Sequence, residues 1–272
     1  MILLDGPMGT ELAFRSVPTS LPRWSAGALM SHPEVVSAIH GEYADAGADV
    51  LTTNTFRTAE ATLGDEWRLY TRRAVELARE AAKAKCRVAG SIAPLDDCYR
   101  PDLSPALSSP DETFRAHTQM AEALAEGVDL LLCETFPFVE EAILAARAAV
   151  ATGKETWVAL TAGPEEPLLS TEEMREAGRR LRDEGVGALL VSCTPAADCE
   201  RYVEALVSAG LPTGVYANAG VADDESGFRS DPKSSPEHYS HLAKRWQEAG
   251  AVIIGGCCGT RPRHIKALNE NR

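Results

Sequence analysis

The sequence has no long apolar run and no cluster of basic residues. No stretch of the 272 residues approaches the roughly 20 consecutive apolar residues of a membrane-spanning helix. The formal net charge is -13, and this acidic excess argues against nucleic acid or an anionic membrane surface as the main partner. The first residues also lack the basic and apolar regions of a signal peptide. We therefore expect a cytoplasmic protein whose partners include neither nucleic acid nor a membrane.

Two patterns that would indicate other kinds of site are missing too. No Gly-x-Gly-x-x-Gly follows any predicted strand, which weakens the case for a dinucleotide-binding sheet. None of the six histidines has metal-ligand spacing to another. The chain does contain seven cysteines, and in a reducing compartment cysteines are more often free, metal-bound or catalytic than paired in disulfides. The cysteines are therefore the first candidates for metal ligands.

Short apolar runs alternate with helix-like stretches along the chain. We predict eight strands, at Ile2–Leu4, Val50–Thr53, Arg87–Ile92, Leu130–Cys133, Thr156–Thr161, Ala188–Ser192, Thr213–Ala217 and Ala251–Ile254. Continuous apolar runs are typical of parallel strands that are buried on both faces. Eight repeats of strand and helix, in a chain near the roughly 250 residues of such a fold, predict a single (β/α)8 TIM barrel domain over residues 1–272. An open doubly wound sheet is the alternative.

Four of these strands follow the same short motif, a glycine at a helix end and then an apolar run. The glycines are Gly47, Gly127, Gly185 and Gly250, and each is expected to form a left-handed helix C-cap. Seven and eight residues beyond them stand Asn54 and Thr55, Glu134 and Thr135, Ser192 and Cys193, and Cys257 and Cys258. The four strands are the even-numbered ones, so all eight side chains should lie at one level of the barrel. Active sites of this fold lie at the C-terminal ends of the strands, and the spacing therefore predicts a site there with a carboxylate, an amide and three thiols.

The segment Gly255–Thr260 contains two adjacent cysteines between glycines. Neighbouring side chains of a regular strand point in opposite directions, so Cys257 and Cys258 can bind one ion only where the strand becomes irregular. The flanking glycines allow such an irregularity. Cys193, at the end of strand 6, would supply a third thiol. Three thiolates with an open fourth position are typical of a catalytic zinc site rather than a structural one.

Other interpretations of this segment remain open at this point. Cys257 and Cys258 could form a disulfide with each other, or they could be inert buried thiols. The glycine-rich turn could instead bind a phosphate, as loops after the last strands of this fold often do. The remaining cysteines are expected to be structural or incidental; they are Cys86, Cys98, Cys133 and Cys199.

Two carboxylates and two long loops complete the predicted site. Glu134 ends strand 4 and could bind a cation, act as a base or form a salt bridge at the rim. Asp5 ends strand 1 and could instead form a turn. The loops Ala93–Pro110 and Ala219–Pro236 are polar and long enough to act as lids, or they could be surface decoration. Polar residues of the second loop include Asp224, Glu225 and Ser230.

Five segments of the chain resemble the homocysteine S-methyltransferase family. They are Asp5–Thr10, Ala46–Phe56, Glu134–Phe136, Ser192–Thr194 and Gly255–His264. The resemblance extends nearly from end to end, and the double cysteine is its most specific part. It implies a zinc-bearing (β/α)8 barrel that methylates homocysteine to methionine.

The resemblance also implies roles for individual residues. The zinc ligands would be Cys193, Cys257 and Cys258. Glu134 and the segment around Asp5 would hold the amino group of homocysteine. Asn54 and Ser192 are further candidates for substrate binding, although Asn54 could simply tie loops together and the family commonly has Asn where this chain has Ser192.

The methyl donor is the least defined part of this expectation. The chain has no room for additional folate- and cobalamin-binding domains, which favours S-methylmethionine or S-adenosylmethionine. Betaine-using members carry an aromatic residue directly after the strand 4 glutamate, where this chain has Thr135. The alternatives are a homocysteine-binding subunit that acts with a separate cobalamin protein, a methyltransferase for another thiol or selenol, and a catalytically silent barrel with a structural zinc.

Overall fold

The computed structural model describes residues 1–83, 85–165, 167–223, 227–229 and 235–272, with the backbone alone at 221–223 and 227–229. Its centre is a parallel sheet of eight strands: β1 (Ile2–Leu3), β2 (Val50–Thr52), β3 (Arg87–Ile92), β4 (Leu130–Phe136), β5 (Glu155–Leu160), β6 (Ala188–Pro195), β7 (Thr213–Asn218) and β10 (Ala251–Gly256). β2 to β7 pair in chain order, and β10 pairs with both β7 and β1. A parallel bridge between Leu4 and Val50 joins β1 to β2. The prediction of a (β/α)8 barrel is confirmed.

Helices surround the sheet and return the chain from each strand to the next. They are α1 (Met8–Phe14), α2 (Ala28–Ser31), α3 (Pro33–Asp45), α4 (Glu60–Leu63), α5 (Trp67–Ala82), α6 (Pro110–Ala125), α7 (Val139–Ala151), α8 (Thr171–Asp183), α9 (Cys199–Val207), α10 (Pro236–Glu248) and α11 (Pro262–Glu270). A capping box begins α8: the Ser170 hydroxyl accepts from the Glu173 amide at 3.2 Å, and the Glu173 carboxylate accepts from the Ser170 amide at 2.8 Å. Among the described residues, no helix combines the length and apolarity needed to cross a membrane.

The glycines of the repeated motif have two different physical roles. Gly47, Gly185 and Gly250 have φ of 103°, 87° and 110°, as expected for left-handed caps. The expectation is wrong for Gly127, which does not take a left-handed conformation. A β-carbon at Gly127 would lie 2.5 Å from Cγ1 of Val75, so close packing between helices explains this glycine.

The two long loops differ in structure. Within Ala219–Pro236, β8 (Val221–Asp223) pairs antiparallel with β9 (Gly227–Arg229), a hairpin that the sequence pattern did not indicate. Asp224, Glu225 and Ser230 lie outside the described residues, and with them part of the proposed second lid. The loop after β3 contains two short 3-10 turns, Pro101–Leu103 and Pro105–Leu107.

The side chains inside the barrel form their own buried cluster, separate from the larger core between sheet and helices. Bulky residues such as Leu132, Leu190 and Ile253 fill this interior. Cys193, Cys257 and Cys258 belong to the same cluster, so the predicted ligands form its upper layer, at the C-terminal ends of the strands.

Candidate metal and substrate site

The ends of β4 and β6 carry the same backbone irregularity. β4 shifts its register with β5 between Cys133 and Phe136, and β6 shifts with β7 between Ser192 and Pro195. Inside these irregular stretches Thr135 has a φ of 62° and Cys193 a φ of 47°. Left-handed values cost a non-glycine residue about 1–2 kcal/mol, and they concentrate at functional sites.

The two irregular positions meet at the mouth of the barrel. Both lie eight residues after a motif glycine, so the repeat brings them to one level. The Thr135 hydroxyl lies 3.5 Å from the Cys193 sulfur. The irregularity therefore places Cys193 inside the barrel, next to the end of β4.

A tight turn after β10 holds the other two cysteines. Thr260 donates two hydrogen bonds to the Cys257 carbonyl, from its amide at 3.0 Å and its hydroxyl at 2.8 Å. The Ala219 amide donates to the Cys258 carbonyl at 2.8 Å. Gly259 has a φ of 81°, and a β-carbon there would lie 1.7 Å from the Ala219 carbonyl oxygen. Only glycine fits this close approach, which fixes the turn against the end of β7.

The three cysteine sulfurs lie within 4.8 Å of one another, and all three residues are buried. In this structure Cys193 and Cys257 form a disulfide, and Cys258 is a free thiol. The pairing of Cys257 with Cys258 that the sequence left open does not occur in this structure. Sulfur atoms that are close enough to share one ion are also close enough to oxidise to a disulfide.

When reduced, this donor set suits a soft or borderline metal ion. Cysteine thiolates are typical ligands of zinc, and three protein ligands leave a position open. Burial raises the pKa of Cys258 to about 12, so its thiol stays protonated near neutral pH unless a bound cation offsets the cost of the charge. The chemistry and the spacing of the three sulfurs therefore both fit a metal centre.

Two carboxylates share the cavity with the cysteines. Asp5 accepts hydrogen bonds from the Thr52 amide at 2.8 Å and the Thr52 hydroxyl at 2.9 Å. Burial, aided by the charge of Glu134, raises the pKa of Asp5 to about 8. Glu134 accepts a hydrogen bond from the Ser91 hydroxyl and another from the Tyr216 hydroxyl at 3.3 Å.

The Glu134 carboxylate is the more exposed of the two. Burial raises its pKa to about 7, although the hydrogen bonds from Ser91 and Tyr216 act in the opposite direction. Two carboxylates with raised pKa values, in one cavity, are suited to bind a cationic group, because such a group stabilises their ionised forms.

A cavity of about 440 Å³ connects these groups, and four aromatic side chains line it. Trp24 and Phe56 meet edge to face, with ring centroids 5.8 Å apart. Tyr99 and Tyr216 also line the cavity. The sequence pattern did not indicate these four residues, although the position of Tyr216 near a strand end was a usable signal. Cys98 also lies in the wall.

The other two predicted substrate-binding residues, Asn54 and Ser192, differ in their relation to the cavity. Asn54 lines the cavity, but its oxygen accepts from the Ser25 hydroxyl at 2.7 Å and its nitrogen donates to the Ser25 carbonyl at 2.9 Å. In this structure Asn54 therefore ties two loops together. Ser192 is fully buried, with its hydroxyl 3.4 Å from the Leu160 carbonyl, and it is not among the residues that line the cavity.

The chain is similar in sequence and in architecture to known proteins. The model of the family described as homocysteine S-methyltransferase matches residues 2–272. A homocysteine S-methyltransferase of Escherichia coli is 32% identical, over 98% of this chain and 94% of its own. An S-methylmethionine–homocysteine S-methyltransferase of Pongo abelii is 31% identical, over 91% of this chain and 72% of its own.

A solved structure extends the likeness to three dimensions. The homocysteine methyltransferase MmuM of Escherichia coli, in its metallated form, has a TM-score of 0.84 and 28% identity, with coverage of 100% of this chain and 96% of MmuM. Its oxidized form has a TM-score of 0.85. With a family match over nearly every residue, the chain belongs to the homocysteine S-methyltransferase family.

Proposed function

We propose that this protein transfers a methyl group from a small sulfonium donor to the thiol of homocysteine, which yields methionine. The observation that carries the proposal is the convergence of three cysteine sulfurs within 4.8 Å in a cavity that also contains Asp5 and Glu134. Cys193, Cys257 and Cys258 would hold a Zn2+ ion. Zinc on three thiolates would supply an open position at which an acceptor thiol loses its proton and remains nucleophilic.

The two carboxylates would select and orient the acceptor amino acid. Its ammonium group would bind between Asp5 and Glu134, with the Tyr216 hydroxyl and Thr52 holding the carboxylates in place. Because both carboxyl groups have raised pKa values, an ammonium group that enters the site would favour their ionised forms. An acceptor fixed at its amino end presents its sulfur in a constant direction, which favours reaction.

The aromatic wall suits the positive charge of a sulfonium donor. Trp24 and Phe56 line the cavity, and a cation near an aromatic face is stabilised by about 0.5–2 kcal/mol. In the reaction the acceptor sulfur forms a bond to the methyl carbon. The bond from that carbon to the donor sulfur breaks, and its electron pair stays on the donor, which becomes a neutral thioether. A water-poor cavity favours a step that neutralises charge.

S-Methylmethionine is the first donor to test, and S-adenosylmethionine the second. The relative from Pongo abelii carries S-methylmethionine in its name, and Thr135 stands where an aromatic residue would be expected in a betaine user. We also infer a cytoplasmic location, because the cysteines must be reduced to bind metal, and a single domain over residues 1–272.

The test is a methyl-transfer assay on reduced, zinc-loaded protein with homocysteine and each donor in turn. With S-methylmethionine we expect two methionines to form for each homocysteine consumed, because the demethylated donor is itself methionine; transfer from S-adenosylmethionine would instead give one methionine and one S-adenosylhomocysteine. Binding of homocysteine without transfer from any sulfonium donor would contradict the proposal. That result would instead indicate a homocysteine-binding subunit that needs a cobalamin protein.

A further inference from the structure

A buried polar cluster lies beneath the loop that follows β3, away from the cysteines. Its centre is the carboxylate of Glu141, in the first turn of α7, which is 1% exposed. The Ser104 hydroxyl donates to one carboxylate oxygen, and His117 Nε2 lies 3.3 Å from the other. Neither Asp5 nor Glu134 contacts this cluster through a described hydrogen bond, so the proposed chemistry leaves it without a role.

Glu141 binds the loop at both of its ends. The Leu95 amide, near the start of the loop, donates to Glu141 Oε1 at 2.8 Å. Ser104, near its end, donates to the other oxygen. One side chain of α7 thus closes the loop between residues 95 and 104. The first turn of α7 directly follows the end of β4, so the loop is tied to the strand that carries Glu134.

The enclosed segment forms part of the cavity wall. Asp97, Cys98 and Tyr99 all line the cavity, and Tyr99 packs against the buried cluster that contains the three cysteines. The Asp97 carboxylate accepts from the Tyr99 amide at 2.8 Å. From the other side, Arg57 donates to the Asp96 carbonyl at 3.0 Å. Among the contacts that hold this wall are one from the partly buried Arg57 and one from the buried Glu141.

The hydrogen bonds to Glu141 are strong because its carboxylate is ionised. Burial alone would raise the pKa of Glu141, but the hydrogen bonds from His117, Ser104 and the Leu95 amide keep that pKa below its usual value. A buried carboxylate that loses its donors is left uncompensated, which is unfavourable. Movement of the loop would break two of these bonds, so the loop should remain closed.

We propose that Glu141 is a positioning residue that holds Asp97–Tyr99 against the cavity and so determines the affinity for the methyl donor. The proposal rests on the proposed function, in which Asp5 and Glu134 take the amino end of the acceptor and the cysteine side of the cavity takes its sulfur. Tyr99 packs against the cluster that contains the cysteines, and because the methyl group must reach the acceptor sulfur there, we assign the space beside Tyr99 to the donor. Loosening it weakens donor binding without moving the groups that bind homocysteine.

The experiment compares Glu141→Ala and Ser104→Ala with the unmodified protein, all reduced and zinc-loaded. Glu140→Ala is the matched control, because Glu140 is the neighbouring residue on α7, is half-exposed and pairs only with Arg180 in a described salt bridge. We expect the donor KM to rise about tenfold in Glu141→Ala and two- to threefold in Ser104→Ala. The homocysteine KM and the kcat at saturating donor should stay within twofold, and Glu140→Ala should behave like the unmodified protein.

Amide hydrogen exchange supplies a readout that is independent of activity. Peptides that cover residues 95–104 should exchange at least tenfold faster in Glu141→Ala, while peptides from β6 and β10 keep their rates. Ser104→Ala keeps the test available if Glu141→Ala does not fold. An unchanged donor KM alongside faster exchange, or an equal rise in the homocysteine KM, would overturn the inference. Absence of methyl transfer by the unmodified protein would instead overturn the proposed function.

Discussion

Replacement of Glu134 by glutamine should weaken the binding of methionine and remove the part of its pH dependence that is centred near pH 7. The pKa of Glu134 is raised to about 7 by burial, so in the free protein the carboxyl group is about half protonated at pH 7. The ammonium group of an amino acid binds the ionised carboxylate. Affinity should therefore rise with pH up to about 7 and level off above it, with Asp5, whose pKa is about 8, extending the rise.

The size of the effect follows from the contacts. A hydrogen bond to a charged group contributes about 1.5–3 kcal/mol, and each 1.4 kcal/mol changes a dissociation constant about tenfold. We expect a loss of about tenfold at pH 8, the lower end of that range, because the Glu134 side chain is only partly buried in the free protein. At pH 6 only about a tenth of the unmodified carboxyl groups are ionised. The difference between the two proteins should nearly vanish at that pH.

Isothermal titration calorimetry with methionine at pH 6, 7 and 8 measures this directly. Methionine is the better probe, since it has the amino group of homocysteine but no thiol whose own ionisation depends on pH. Glu140→Gln is the control, because it removes one exposed carboxylate from α7. Zinc content should be the same in all three proteins. If Glu134→Gln binds methionine as tightly as the unmodified protein at pH 8, the carboxylate does not hold the amino group and the assignment is wrong.

Two further predictions concern the cysteines. Cys258→Ser should retain less than about a tenth of the zinc in atomic absorption measurements, because two thiolates with a serine hydroxyl are a poor zinc site. The control is Cys86→Ser, at the opposite end of the barrel, which should retain about one ion per chain. Equal zinc in both variants would contradict the metal assignment. Protein with the Cys193–Cys257 disulfide should show five titratable thiols of seven when denatured without reductant. It should take up zinc only after reduction. If the oxidised protein bound as much zinc per chain as the reduced protein, these two sulfurs would not both be ligands.

The sequence predicted the location of the site because, in a barrel, residues at the same distance after equivalent glycines lie at the same position along the barrel axis. Each motif glycine stands at the same point before a strand, so residues seven and eight positions later reach the same layer. The spacing predicted Glu134, Cys193 and the Cys257–Cys258 pair at one level of the barrel, and in the structure all four line one cavity. The fold followed from the alternation of apolar runs and helices, which depends only on local pattern.

Spacing could not predict the direction of each side chain. Ser192 and Cys193 are adjacent in β6, and adjacent side chains of a strand face opposite sides, so only one of them could line the cavity. Cys193, with its left-handed φ, lines the cavity; Ser192 does not line it, and its hydroxyl lies 3.5 Å from that of Thr135. That choice depends on the register shift between β6 and β7, which is a property of two strands together.

Residues contributed by loops were missed for a related reason. Tyr99 reaches the cavity because Glu141 closes its loop, and the two are more than 40 residues apart in the sequence. The Cys193–Cys257 disulfide was also beyond prediction, since it depends on redox state as well as on proximity. Local sequence patterns therefore predicted the barrel fold and the reactive side chains at the strand ends. The loop residues that line the cavity depend on long-range contacts and could not be predicted in this way.

The turn that holds Cys258 offers the sharpest test of how backbone geometry supports the metal site. Replacement of Gly259 by alanine meets two obstacles: a φ of 81°, and a carbonyl oxygen of Ala219 only 1.7 Å from the new β-carbon. Gly210 has a φ of 77°, and a β-carbon added there would have no heavy atom within 4 Å. Gly210→Ala is therefore a control with the same backbone strain and no collision.

The collision at Gly259 can be relieved only if the turn moves away from β7. Such a movement lengthens the 2.8 Å hydrogen bond from the Ala219 amide to the Cys258 carbonyl and displaces the sulfur of Cys258. Gly210→Ala should lower the free energy of unfolding by about 1 kcal/mol, from strain alone, and leave the zinc affinity unchanged. Gly259→Ala should lose at least about twice as much stability, since strain and overpacking add, and should bind zinc at least tenfold more weakly in competition with a chelator. Equal losses of stability in urea denaturation, with equal zinc affinities, would mean that the turn tolerates the displacement and that the close approach to β7 does not position Cys258.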